Sequence, residues 1–187
     1  MYVSRGKVIR YIKNRALFFA LALGTLAGIG TACAVGVLPA KEELAGGYLR
    51  VFEFSLGAVF SRALFLQVLP VLVFYLFAFG ALALPASAAV LFMRGFAGGA
   101  GCTLLFRVCV KNAAFPPLFA LSCVFELTVM LLCHSCGKLS VYFSEALRKG
   151  ARKRALLRFT GDLLFFAGLI FLFYLLRGCI LALLLRT

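Results

Sequence analysis

The chain has 187 residues, of which 64% are hydrophobic, and 20 lysines and arginines stand against 6 aspartates and glutamates. The apolar residues form long blocks that exclude a water-soluble domain, and no hydrophilic stretch reaches the roughly 50 residues of a second domain. The cations cluster beside the blocks, as in cytoplasmic loops, and this argues against nucleic-acid binding. We therefore predict a single membrane domain over residues 1–187.

Five apolar blocks predict five transmembrane helices. The first has neither charge nor proline over 23 residues, and at about 1.5 Å per residue it can cross a bilayer core of roughly 30 Å. It is too long for a cleaved signal peptide, so it is predicted to stay as a signal anchor. The predicted fold is an all-α, polytopic helical bundle in which the spans are 16–38, 64–84, 86–106, 117–137 and 162–185.

Residues 43–62 differ from the apolar blocks because polar residues recur there at helical spacing. The pattern predicts an amphipathic helix at the membrane interface, or a soluble-type helix packed on the bundle. Its charged stripe contains Glu43, Arg50 and Glu53, which we expect to dock a partner protein.

Charge predicts the orientation. With the N-terminus inside, five spans place 12 cations in the N-terminal segment and in a basic loop at 138–161, against 7 in the outer segments. Cytoplasmic segments carry the excess of lysine and arginine. We therefore predict a multi-pass protein of the plasma membrane with a cytoplasmic N-terminus.

Two charged residues lie well inside apolar spans. Arg94 is in the third predicted span and Glu126 in the fourth, at depths that differ by roughly 4–5 Å in an antiparallel arrangement. An isolated charge at this depth is costly, so the two should form an intramembrane ion pair. The pair could fix helix register, or it could be a proton or substrate site. Arg177 is expected near the outer leaflet, where it can snorkel.

Glycines at four-residue spacing predict close helix packing. Gly24 and Gly28 share a face of the first span, and Gly95 and Gly99 share a face of the third. Backbones approach closely where side chains are missing, which favours association in lipid. An alternative is a broken or re-entrant helix at 98–101, since a glycine-rich run forms a poor helix.

The residues offer little for catalysis. His134 is the single histidine and Asp162 the single aspartate, and no nucleophile, zinc-protease or phosphate-loop motif occurs. Cys133 and Cys136 form a Cys-x-x-Cys pair without the further ligands that zinc needs. We predict a protein without enzymatic activity, metal or cofactor.

From about residue 45 to 146, the order of features resembles the stage II sporulation protein M family. The residues that carry the resemblance are 79–85 (FGALALP), 91–99 (LFMRGFAGG) and 111–117 (KNAAFPP). These are packing motifs, so Gly80 and Gly98 join the glycines expected to pack helices.

The resemblance implies a membrane scaffold without catalytic chemistry of its own. Members of that family localise the peptidoglycan-degrading stage II sporulation proteins D and P during engulfment of the forespore. Membrane lipid and such proteins are the partners this implies. The alternative is a transporter or an ABC-type permease subunit, with a polar path at Arg94 and Glu126.

Overall fold

The computed structural model describes residues 5–34, 69–109, 115–150 and 153–186, and these ranges contain five helices and no strand. In chain order the helices are α1 (Arg5–Ala34), α2 (residues 69–77), α3 (Ala83–Cys109), α4 (Phe115–Arg148) and α5 (Lys153–Arg186). The prediction of an all-α fold is confirmed for this part of the chain. The amphipathic helix predicted at 43–62, with Glu43, Arg50 and Glu53, lies outside the described residues.

Four helices are long and apolar enough to cross a membrane: Tyr11–Ala34, Ala83–Phe106, Phe119–Arg148 and Ala155–Arg177. Their outward side chains are large and apolar, as at Leu26 and Leu157, which are 66% and 73% exposed. Their buried side chains include the polar residues Ser122 and Glu126. Apolar groups outside and polar groups inside suit a bundle surrounded by lipid.

Three of the four long helices, α1, α3 and α5, run in the same direction, and α4 runs in the opposite direction. Gly24 and Gly28 of α1 lie against Phe92 and Phe96 of α3, so these two helices run parallel. Helix α4 is antiparallel to both of its neighbours: Leu91 and Gly98 of α3 lie beside Gly137 and Glu126, and Phe159 and Arg177 of α5 lie beside Phe143 and Ser122. These are the relative directions that the five-span prediction gives to its first, third, fourth and fifth helices. We call the end where α1, α3 and α5 begin the base, and the opposite end the top.

The second predicted span, 64–84, contains α2 followed by a turn at 78–82. Gly80 N–H donates to the carbonyl of Phe77 over 3.1 Å in this turn. Helix α2 therefore ends at residue 77, before Pro85, and the predicted boundary between the second and third spans falls inside α3. Pro85 lies in the first turn of α3, where a backbone N–H has no partner within the helix, so proline costs little there.

The basic loop predicted at 138–161 is mostly helical in the structure. Helix α4 continues to Arg148, and α5 begins at Lys153 after a turn that contains Gly150 at φ +81°. The continuation packs against α2: Ser140 Oγ donates to the carbonyl of Phe74 over 2.7 Å, and Ser144 Oγ to that of Gly80 over 2.9 Å. These contacts join residues about 65 positions apart, which hydropathy along the chain does not detect.

Aromatic rings and one ion pair close the base of the bundle. Phe143 of α4 stacks on Phe159 of α5 with ring centroids 4.2 Å apart, and Phe159 also stacks on Tyr75 of α2 at 5.9 Å. Lys13 Nζ lies 2.5 Å from Glu145 Oε1 and so joins α1 to α4. The segment expected to be a loop is thus held to α1 and α2, and its two helical parts pack on each other.

Helices α1 and α3 meet backbone to backbone through their glycines. A Cβ placed on Gly24 or Gly28 would overlap the carbonyl oxygen of Phe92 or Phe96, respectively. The same holds for Gly95 against Leu21 and for Gly99 against Thr25. The two four-residue glycine repeats therefore face each other, and any side chain would push the helices apart.

This contact predicts different effects for two glycines of the same helix. Gly28→Leu should lower the free energy of unfolding by about 1–3 kcal/mol or more, as overpacking does. Gly30→Leu is the matched control because a Cβ there meets nothing within 4 Å, so its effect should stay within about 0.5 kcal/mol. Thermal unfolding of the purified protein in detergent measures both. Equal destabilisation by the two substitutions would contradict the backbone contact.

Candidate functional site

The centre of the site is Glu126 of α4, whose side chain is 2% exposed. It belongs to a stripe at helical spacing that faces into the bundle and also contains Ser122, Val129, Met130 and Cys133, all buried. Residues three or four apart share one helix face, so the periodicity of α4 directs the carboxylate inward. A charge so placed requires an opposite charge nearby.

The structure brings Arg94 of α3 to Glu126. Arg94 Nη2 lies 2.8 Å from Glu126 Oε1, and the arginine side chain is 11% exposed. Neither Nη2 nor Nε of Arg94 meets the geometry of a hydrogen bond, nor does Oε1. The contact between the two is therefore a close ion pair with unused hydrogen-bonding capacity.

Gly98 makes room for the carboxylate. It lies one turn after Arg94, and a Cβ on Gly98 would be 2.8 Å from Glu126 Oε1 and would overlap the terminal methyl of Met130. The predicted packing role of Gly98 thus falls at the contact between α3 and α4. Helix α3 runs unbroken from Ala83 to Cys109, so the alternative of a broken helix at 98–101 is wrong.

A third member of the site comes from α5. Arg177 Nη1 donates to Glu126 Oε2, and Arg177 Nε donates to Ser122 Oγ over 3.2 Å. Its side chain is 15% exposed. Arg177 was expected to snorkel toward the outer leaflet; its side chain instead turns inward to Glu126, which corrects that expectation. The antiparallel register of α4 and α5 is what brings the two together.

The three residues form an ion triad: Arg94, Glu126 and Arg177. Each carboxylate oxygen faces a different arginine, and each residue belongs to a different helix, so the triad ties α3, α4 and α5 together. Two guanidinium charges against one carboxylate leave one positive charge uncompensated within the triad. The sequence contained a signal for the third member, because Arg177 lies within the predicted span 162–185 just as Arg94 and Glu126 lie within theirs.

Thiols surround the triad. Cys102 of α3 lies beside Cys123 of α4 and near both Arg177 and Glu126, and Cys133 lies near Arg94. Cys133 and Cys136 are both buried. In the ranges that the structure describes, no three His, Cys, Asp or Glu side chains are grouped to hold a metal ion.

The remaining residues of the predicted site fall into three groups. Gly24, Gly28, Gly95 and Gly99 lie in the contact of α1 with α3. Gly80 differs because a Cβ there would meet only its own turn at 3.8 Å, and its carbonyl is what binds Ser144. The third group lies outside the residues that the structure describes and contains Glu43, Arg50 and Glu53.

Comparison with known proteins gives no match: no protein-family model, no curated protein and no solved structure matches this chain. The resemblance to stage II sporulation protein M therefore stays a prediction.

The triad predicts an unequal response to removal of its members. Glu126→Leu leaves two buried arginines without a counter-charge and should cost about 3–5 kcal/mol of folding free energy. Arg94→Leu and Arg177→Leu should each cost less, because Glu126 keeps one arginine. Denaturant unfolding in detergent measures the series, with Arg158→Leu as a control at an exposed position of α5. Equal losses for all three triad variants would show that Glu126 does not serve both arginines.

Combined variants separate a triad from a simple pair. For an isolated pair, Arg94→Leu with Glu126→Leu would recover most of the stability lost by Glu126→Leu alone. With Arg177 present, this double variant still contains a buried unpaired charge and should recover little. Addition of Arg177→Leu should then restore stability. Full recovery in the double variant would remove Arg177 from the triad.

Proposed function

We propose that this chain is a multi-pass membrane protein without enzymatic activity that acts as a scaffold for other membrane or cell-wall proteins. The observation that carries the proposal is that the buried charges contact one another across the helices. Glu126 is shared by Arg94 and Arg177 across three helices, which supports a structural role for these charges. The glycine contact of α1 with α3 supports the same reading, because it favours a rigid framework.

The resemblance to stage II sporulation protein M gives the scaffold a specific form. In that form the chain lies in the plasma membrane and localises peptidoglycan-degrading partners like stage II sporulation proteins D and P during forespore engulfment. The docking surface would be the segment 43–62, through Glu43, Arg50 and Glu53.

The proposed orientation places the N-terminus in the cytoplasm. Exposed cations of the described part support it, since Arg15, Arg148, Lys149 and Arg158 all lie toward the base, and cytoplasmic ends carry such an excess. Helices α1 and α3 run parallel, so if both cross the membrane, the chain between them must cross an odd number of times. A span near 64–84 would meet that requirement.

Reporter fusions test this topology. An alkaline phosphatase reporter should be inactive after Gly150 and active after Asn112 and after Glu43, because the enzyme folds on the outer side only. A cytoplasmic reporter at the same positions gives the complementary control. Activity at Gly150 together with silence at Asn112 would invert the orientation, and silence at Glu43 alone would remove the span between α1 and α3.

The second candidate is a transporter or an ABC-type permease subunit with a polar path at Arg94 and Glu126. The observation that favours it is the unused hydrogen-bonding capacity of Arg94, whose Nε is buried without a hydrogen-bond partner. A site that carries a solute needs such free donors, whereas a purely structural ion pair does not. The two functions therefore differ in whether purified protein moves a solute.

Substitution of the proposed docking residues distinguishes the candidates. A Glu43→Ala, Arg50→Ala, Glu53→Ala variant should accumulate normally, because the sequence predicts that this charged stripe faces away from the apolar side, and substitutions at exposed positions change stability by no more than about 0.5 kcal/mol. A scaffold with this variant should lose co-purification with its partner and fail to complement a deletion in a spore-forming host. Arg148→Gln with Lys149→Gln is the control, because it removes exposed charges at the base and should retain the partner.

Liposomes provide the second half of this test. A scaffold reconstituted alone should show neither solute flux nor hydrolysis of cell-wall fragments. Solute flux that depends on Arg94 would favour the transporter. Normal complementation by the triple variant would show that 43–62 is not the docking surface.

A further inference from the structure

Two thiols on neighbouring helices lie in contact near the top of the bundle. Cys102 of α3 and Cys123 of α4 share a hydrogen bond between their side chains, and both thiols are free and partly exposed. We call Cys102 and Cys123 the thiol pair. Two thiols in contact across a helix boundary are the starting arrangement for a disulfide bond.

A ring contact above the thiol pair places the two cysteines opposite each other. Phe106 of α3 and Phe119 of α4 lie with their ring centroids 5.5 Å apart. Cys102 is four residues before Phe106, and Cys123 is four residues after Phe119. In antiparallel helices these equal steps lead to facing positions about one turn below the rings, because residues four apart share a helix face.

The contact below the thiol pair gives the same register. Gly98 of α3 lies beside Glu126 of α4, since a Cβ on Gly98 would be 2.8 Å from Glu126 Oε1. Cys102 is four residues after Gly98, and Cys123 is three residues before Glu126. Contacts one turn away on both sides therefore hold the two thiols within hydrogen-bonding distance, which is the approach that formation of an S–S bond requires.

Access distinguishes the thiol pair from Cys133 and Cys136, whose thiols are buried. Cys102 is five residues before Arg107, the first charged residue after the apolar stretch Ala83–Phe106. At about 1.5 Å per residue, the pair lies roughly 7–8 Å below that end of the stretch. A small reagent therefore has access to the pair from the top, whereas burial protects the other two thiols.

We infer that the thiol pair is a site of reversible oxidation, at which a disulfide of low molecular weight closes a disulfide bond between α3 and α4. One cysteine attacks the oxidant to form a mixed disulfide and releases one thiol, and the second cysteine then attacks the mixed disulfide and releases the other. The two cysteines are oxidised, and the oxidant is reduced to two thiols that take up the two protons the cysteines lose. The new bond lies one turn from Glu126 and so secures the register of the ion triad. This inference does not depend on the scaffold role or on any partner protein.

The experiment exposes the folded, monodisperse protein in detergent to oxidised glutathione, blocks the remaining thiols in denaturant and digests the protein with trypsin. The protease cuts after Arg107 and Lys111, so the disulfide appears in mass spectra as a link between peptides 95–107 and 112–138. The link should form over minutes to hours, since thiols in apolar surroundings react slowly, and a reducing agent should release the two peptides. The cross-link should also raise the unfolding temperature by about 5 °C or more, because it constrains the unfolded chain.

Serine variants assign the bond to its two cysteines. Peptide 95–107 contains Cys102 alone, whereas peptide 112–138 contains Cys123, Cys133 and Cys136. Cys102→Ser and Cys123→Ser should each abolish the link and the rise in unfolding temperature. Cys133→Ser and Cys136→Ser are the matched controls and should retain the link. Absence of the link in the oxidised wild type, a link found only in covalent dimers, or loss of the link in either control would overturn the inference.

Discussion

The described bundle depends on one carboxylate that serves two arginines. Glu126 is buried between α3, α4 and α5, and each of its oxygens faces a guanidinium from a different neighbouring helix. Lipid offers no water to stabilise any of these charges separately, so each of the three helices is held in register by the other two. The relative position of α3, α4 and α5 is therefore set by electrostatics as well as by shape.

Helix α3 connects this triad to α1 because its two faces carry different glycines. Gly95 and Gly99 bring the backbone of α3 against α1, whereas Gly98 opens the space that the carboxylate of Glu126 occupies. Arg94 and Gly98 lie one turn apart and so share the face toward α4. A shift of α3 along its axis would break the ion contact and the glycine contact together, which makes α3 the central element of the fold.

Polar side chains of the bundle form contacts between helices. Ser140 and Ser144 hold α2 to α4, and Lys13 holds α1 to α4. Such contacts hold the helices of the described bundle together. Two arginines share one carboxylate in the triad, so these contacts between helices retain one positive charge.

The sequence alone determined the helical class, the apolar stretches and the charge asymmetry, because each follows from composition and spacing along one segment. The four-residue spacing of Gly24 and Gly28, and of Gly95 and Gly99, likewise indicated close helix contacts. Only the tertiary structure decided which helices meet. It placed Arg177 beside Glu126, separated the face of Gly98 from that of Gly99, and turned most of a predicted loop at 138–161 into helix. The physical reason is that the partner of a residue on another helix is set by the register and direction of the two helices, and local hydropathy predicts neither.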